Sequence, residues 1–141
     1  MIDGYLLVAA TPANGNSLRE FVRKAANQVL PVSDTLRIID GVAIALAAIH
    51  NKGVVHGRIG IDQVWWDGEN DVTLLRDPFF PPVSPLGTNL PVAVGIADDE
   101  DFRVRYAAPE FTAPAQQPTP GTDMYALGCM MWELMTGKLP Y

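Results

Sequence analysis

His56-Gly57-Arg58-Ile59-Gly60-Ile61-Asp62-Gln63-Val64 is the stretch whose reading decides the fold. A helical, apolar segment ending in Ala48-Ile49-His50-Asn51-Lys52-Gly53 precedes it, and the β-branched pair Val54-Val55 leads into it. An acidic turn, Asp67-Gly68-Glu69-Asn70-Asp71, follows, and then a short apolar run, Val72-Thr73-Leu74-Leu75. Two short strands, Val64-Trp65-Trp66 and Val72 to Leu75, are expected around that turn.

Two later segments extend the pattern. Arg105-Tyr106-Ala107-Ala108-Pro109-Glu110 closes an irregular region. Thr122-Asp123-Met124-Tyr125 to Trp132-Glu133-Leu134-Met135 reads as an apolar helix, with Gly137 and Pro140 as its stop signals. The three pieces, in this order, resemble the eukaryotic-type, Ser/Thr-like protein kinase domain, whose catalytic loop reads H-R-D-L-K-P-E-N and whose activation loop closes on A-P-E. The resemblance implies an α+β fold: a kinase-like large lobe, mainly helical with short β hairpins, and the small lobe largely absent. It divides the chain into residues 1–16, similar to the last small-lobe strand and hinge, and residues 17–141, similar to the large lobe as far as its central buried helix. About half a kinase domain is covered on this reading.

The same resemblance places His56 at the family's His, Gly57 at its Arg, Arg58 at its catalytic Asp and Gly60 at its Lys. Asp62 stands at its Glu and Gln63 at its Asn. The scaffold is kept and the chemistry is exchanged. A guanidinium stays protonated at any working pH, so Arg58 accepts no proton from a substrate hydroxyl. General-base help is typically worth ~10²–10⁴ in rate. Gly60 removes the Lys that steadies the transferring phosphate. Gln63 keeps an amide oxygen but sets it one methylene further out, which weakens it as a ligand for Mg²⁺. The metal-binding D-F-G segment has two registers here, Arg76-Asp77-Pro78 or Asp77-Pro78-Phe79. The second keeps Asp77 as a metal carboxylate and is preferred, because Asp is the chemically demanding residue. The resemblance further gives Ala9, Ala10 and Thr11 as a hinge that contacts adenine. It makes His56, Asp62, Pro109, Glu110 and Asp123 structural, with Asp123 bracing the loop backbone and Glu110 pairing with an Arg outside this chain.

Bulk properties narrow the classes. The net charge is −6 and the pI about 4.7, with no cluster of Lys and Arg, which speaks against nucleic acid and anionic membranes. Apolar residues make up 48% and charged ones only 18%, a balance that fits a piece of a larger core. Cys129 stands alone in an apolar helix and reads as a buried thiol, so no disulfide framework is expected. The longest apolar runs, Val42 to Ile49 and Met124 to Met135, fall short of the ~20 residues that span a bilayer. No signal-peptide pattern opens the chain, and a cytoplasmic location is expected.

Residue patterns give the rest. Tyr5 to Ala10 reads as a strand and Thr11 to Asn16 as punctuation. Ser17-Leu18-Arg19-Glu20 reads as a capping box opening a helix to about Asn27. Pro31-Val32-Ser33-Asp34 opens the next helix, with Leu36, Ile39, Val42 or Ala43, Leu46 and Ile49 as its core face. Gly53 is its left-handed cap, and His50 is expected to cap the same helix end. Residues 78–103 carry five prolines and occupy the place of an activation segment. Their Ser84 and Thr88 are hydroxyls at background frequency. Thr122 or Asp123 caps the last helix. Trp65, Trp66 and Trp132 are read as packing residues.

Two functions of different class follow. The first is a catalytically inactive, pseudokinase-like domain that acts by binding a protein partner or the remainder of a kinase domain. The second is a divergent Ser/Thr kinase using ATP through Asp77 and Gln63. A third reading is a truncated fragment without independent function. On any of them ATP and Mg²⁺ are bound weakly or not at all.

Overall fold

The computed structural model describes residues 14–75, 105–112 and 118–140. They form three α-helices and a small antiparallel sheet, so the fold is mostly helical with short strands. Helix α1 covers Leu18–Lys24, α2 Val32–His50 and α3 Pro120–Thr136. Strands β1 (Asn16–Ser17), β2 (Val64–Trp66) and β3 (Val72–Leu74) lie side by side in that order. Val64 pairs with Leu74 and Trp66 with Val72, so the acidic turn closes a hairpin. Asp67 stabilises that turn locally, its side chain accepting the Glu69 and Asp71 amides at 2.8 and 3.0 Å.

The entry to α1 departs from the sequence expectation. Ser17 is the N-cap residue, but its side chain makes no capping hydrogen bond. Its backbone is extended and pairs with Trp65 as part of β1. The serine thus ends a strand, and Glu20 faces Lys24 one turn on at 3.9 Å. The helix also stops sooner than expected, at Lys24. A 3-10 turn, Ala26–Gln28, follows, in which Asn27 and Gln28 both take left-handed φ values of 54° and 58°. This turn redirects the chain so that Leu30 donates its amide to the Leu134 carbonyl of α3 at 2.9 Å.

Helix α2 begins at Val32, directly after Pro31, whose missing N–H costs nothing there. It ends in a Schellman turn: Gly53 (φ 70°) donates to His50 and Val54 donates to Ile49. The inward face keeps Val42 and Leu46 of the sequence reading, with Ile39, Ala43 and Ile49 packed against the core, and corrects it at Leu36. Thr35, Ile38, Val42 and Leu46 are buried, whereas Leu36 is 52% exposed and Ile44 64%. The helix is apolar on both faces, so two stripes satisfy helical spacing. The neighbours choose between them, and Thr35 escaped notice because it is polar. Gly41, mid-helix, costs about 0.8–1.0 kcal/mol relative to alanine. It is required because a Cβ there would meet the Val72 side chain at 2.7 Å, so β3 could not lie against the helix.

One core joins these parts. Leu18, Val22, Leu30, Ile38, Val42, Leu46, Ile59, Ile61, Val64, Trp66, Met130 and Leu134 are buried together. Trp66 packs against Phe21 with ring centroids 4.9 Å apart. Trp65 is half-buried, while Trp132 is 51% exposed and is not a core residue among the described ones. No described helix is long and apolar enough to cross a membrane.

Candidate functional site: a loop braced from the central helix

The Schellman turn ends α2 and releases Val55, buried, into the loop that follows. Helix α3 supplies the loop's brace. Asp123 sits in the first turn of α3 and is 1% exposed. Its Oδ2 accepts the His56 amide at 2.8 Å, and its Oδ1 accepts the Gly57 amide at 2.8 Å. A third donor is His50 Nε2, at 2.8 Å from Oδ2. One carboxylate therefore fixes two consecutive peptide units and the end of α2. Each bond is charge-assisted and desolvated, so the group acts as a single clamp.

Two sequence expectations change here. His50 does not cap its own helix; its ring reaches across to Asp123. Neither Asp123 nor Thr122 is the N-cap of α3. That residue is Thr119, which exchanges hydrogen bonds with Thr122 in a capping box, the Thr119 side chain accepting the Thr122 amide and the Thr122 hydroxyl accepting the Thr119 amide. The reciprocal pair at the true cap leaves the Asp123 carboxylate to the loop.

His56 is buried and doubly bonded. Its Nε2 lies 3.0 Å from the Leu75 carbonyl, and its Nδ1 lies 3.3 Å from the Arg58 amide. A carbonyl can only accept and an amide can only donate. The ring is therefore neutral, with its proton on Nε2. It ties the loop to the end of β3.

Asp62 and Gln63 are likewise engaged. The Arg19 guanidinium of α1 grips the Asp62 carboxylate with two nitrogens: Nε on Oδ1 and Nη2 on Oδ2, the latter at 2.5 Å. Both side chains are nearly half exposed, so the pair is worth only about 0–1 kcal/mol, but it sets where the carboxylate points. Gln63 closes a turn through its amide to the Gly60 carbonyl at 3.0 Å, and its carbonyl accepts the Leu75 amide at 2.7 Å.

The segment Arg105–Ala108 lies over this loop. Tyr106 is 2% exposed, and its hydroxyl donates to Glu133 Oε2 at 2.5 Å. Arg105 Nη1 donates to Glu133 Oε1 at 3.0 Å. Burial, and next the neighbouring Glu133 carboxylate, push the Tyr106 phenol far above its ordinary range. Glu133 was missed in the sequence. The signal was present: it lies three residues after Met130 and seven after Ala126, on a stripe that both occupy in the core. A charge on a buried stripe demands a partner. Pro109 and Glu110 begin a short 3-10 turn, Pro109–Thr112, and both are exposed.

A small cavity of about 10 Å³ is lined by Gly57, Ile59, Tyr106, Ala107 and Asp123, room for roughly one water. No described group of three His, Cys, Asp or Glu side chains stands together as a metal cluster. Ala9, Ala10, Thr11 and Asp77 lie outside the described residues, so of the expected nucleotide and metal residues the structure places only Gln63.

The buried phenol predicts an alkaline limit to stability. The folded state keeps the Tyr106 proton at pH values where the unfolded chain, near its ordinary pKa of about 10, releases it. The stabilisation is thus complete below about pH 10 and is lost as pH rises beyond it. Comparing phenolate absorbance of the wild-type chain with Tyr106→Phe isolates this group. Its ionisation should coincide with unfolding; ionisation near pH 10 in the folded chain would refute the burial.

Comparison with known proteins agrees with this frame. The family model described as protein kinase domain matches residues 3–141. The chain is 34% identical over 112 residues to pollen receptor-like kinase 1 of Petunia integrifolia, covering 77% of this chain and 14% of that protein. It is 30% identical over 138 residues to an inactive leucine-rich repeat receptor-like serine/threonine-protein kinase of Arabidopsis thaliana, covering 94% and 21%. To the human hormonally up-regulated neu tumor-associated kinase it is 27% identical over 139 residues, covering 99% and 18%. The chain thus spans about a fifth or less of the length of these relatives.

Proposed function

Because this chain belongs to the protein kinase domain family, we propose that it is an inactive member of it, which retains the scaffold of the catalytic loop and acts by binding a protein partner. The observation that carries this reading is Arg58, which stands where the family's catalytic Asp is expected, in a loop held rigid by Asp123. Phosphoryl transfer depends on positioning and on a group that accepts or orients the hydroxyl proton. The loop backbone is held in place, and at the acceptor's position stands a permanent cation that accepts no proton. The nearest described carboxylate in the loop, Asp62, is already gripped by Arg19 and lies four residues on.

The family uses ATP and Mg²⁺. Among the described residues the donor set for that metal is incomplete, since no carboxylate cluster stands beside Gln63. The chain's contribution as a binding domain is its fixed geometry: Asp123, His50 and His56 hold the loop, and Tyr106 and Glu133 hold the segment above it.

The test is transfer of radiolabelled phosphate from ATP to a generic basic protein, with Mg²⁺ and with Mn²⁺, by the full chain. No transfer above a mock preparation is expected, and Mg-ATP should show no saturation below roughly 1 mM. Transfer that disappears in Asp77→Ala would overturn the proposal and favour a divergent kinase.

A further inference from the structure

Among the described residues, three glycines follow an asparagine or an aspartate: Asn14-Gly15, Asp40-Gly41 and Asp67-Gly68. These pairs share a chemistry. The glycine backbone nitrogen can attack the preceding side-chain carbonyl carbon, and no Cβ stands in its way. The attack requires a side chain released from other partners and a peptide unit free to turn, so the fold decides which pair reacts. Two are locked. Asp40 and Gly41 lie inside α2, where helical hydrogen bonds fix both peptide units. Asp67 accepts the Glu69 and Asp71 amides at 2.8 and 3.0 Å, and a carboxylate is a poorer electrophile than an amide. The third is open. Asn14 is exposed in a bend before β1, and no hydrogen bond ties its side chain to another described residue. Glycine is obligatory at position 15 for a separate reason. Its φ is +89°, and a Cβ there would run into the Trp66 carbonyl and lie 2.7 Å from Asp67 Cα. A bulkier residue that would shield the nitrogen therefore has no room.

We propose that Asn14 is a self-modifying site, at which Gly15 closes a succinimide on the asparagine side chain and the chain ages into an isoaspartate form. The Gly15 nitrogen gives its proton to solvent base and bonds to Asn14 Cγ. The Cγ–Nδ2 bond breaks, and Nδ2 leaves as ammonia with a proton from water. Water then opens the ring. Addition at Cγ gives aspartate. Addition at the backbone carbonyl carbon gives isoaspartate, in which the main chain runs through Cγ and is one carbon longer. Asn14 stands two residues before Asn16, which pairs with Trp66 in β1. Gly15 is wedged against Trp66 and Asp67, so the extra carbon cannot be folded away at that residue. It displaces the start of β1 and with it the entry to α1, whose Arg19 holds Asp62 of the loop. Both products also put a carboxylate in place of a neutral amide, next to the glycine that packs on the acidic turn, and like charge opposes that contact. The chemistry runs whether or not the chain transfers phosphate.

The experiment incubates the full chain in mildly alkaline buffer, native and in urea, and follows each peptide by mass spectrometry and an isoaspartate assay after digestion. In native buffer the Asn14 peptide should turn from amide to acid and gain isoaspartate at nearly its rate in urea. The Asp40 and Asp67 peptides should convert at least about tenfold more slowly than in urea, as protected segments do. Asn14→Gln, an exposed and conservative change, should silence the first peptide, because the larger ring closes far more slowly. An Asn14 peptide protected about tenfold or more by the native fold overturns the site, as does isoaspartate that appears first at Asp40 or Asp67. A second measurement reads the consequence. Backbone hydrogen exchange over residues 15–18 is compared between the aged chain and freshly made Asn14→Asp, which carries the new charge without the extra carbon. Faster exchange in the aged chain is expected, and equal exchange would show that the longer main chain leaves β1 undisturbed and refute that part of the proposal.

Discussion

Asp123→Ala should cost about 3–5 kcal/mol of folding stability, the order expected when a buried carboxylate that accepts several hydrogen bonds is removed. The carboxylate is 1% exposed and accepts from the His56 amide, the Gly57 amide and the His50 ring. Alanine leaves two buried peptide donors without an acceptor, each worth roughly 1–3 kcal/mol, and frees the imidazole. Against a typical total of about 5–15 kcal/mol this is a large fraction. Asp123→Asn should cost less, because its one remaining oxygen can still accept one amide. The midpoints of chemical unfolding order the three proteins, with Asn between wild type and Ala. An Ala variant that unfolds at the wild-type midpoint would mean that the loop holds its shape without the clamp.

The second large effect concerns the outer face of α3. Met124, Trp132 and Met135 are 52%, 51% and 38% exposed, and Gly128 between them has open space around its Cα. Their spacing sets them on one stripe. Burial of such a side chain is worth roughly 1.5–3 kcal/mol, and a contiguous apolar stripe is a different matter from scattered exposed residues. The 141-residue chain expressed by itself should bind hydrophobic dyes and self-associate. The double variant Met124→Gln with Trp132→Gln should bind less dye and elute more nearly as a monomer. A wild-type chain that is monodisperse, dye-silent and melts sharply above about 55 °C would contradict this, since that is the behaviour of a well-covered domain.

What the sequence made legible was chiefly what local chemistry and order dictate. The Gly53 cap, the hairpin around the acidic turn and the Pro31 start of α2 each depend on neighbours a few residues away, and each stands where the sequence places it. Features that depend on distant partners were missed. Ser17 reads as a cap until Trp65 offers it a strand partner. Leu36 and Ile38 are equally apolar, and only the packing of α3 and β3 selects Ile38 for the inside. Asp123 is a good cap residue by composition, yet Thr119 takes that role; that Asp123 braces the loop was legible from the resemblance and not from local pattern. The candidate site follows the same division. Arg58, Gly60 and Gln63 are legible as exchanges in a recognised pattern, whereas Tyr106 and Glu133 become site residues only through their contact across 27 positions of chain.

The Asp123 clamp also bears on how the loop comes into being. Its donors lie 66, 67 and 73 residues away in the chain. Bonds of such span close large loops of disordered polypeptide before they return any enthalpy. During synthesis, everything from α1 to β3 leaves the ribosome before the aspartate is made. The hairpin and α2 can associate in that interval, but the peptide units of His56 and Gly57 wait without their acceptor. The loop's conformation is therefore a late product of assembly, set when α3 docks. Chains ending before α3 carry the whole motif in sequence and lack the means to shape it.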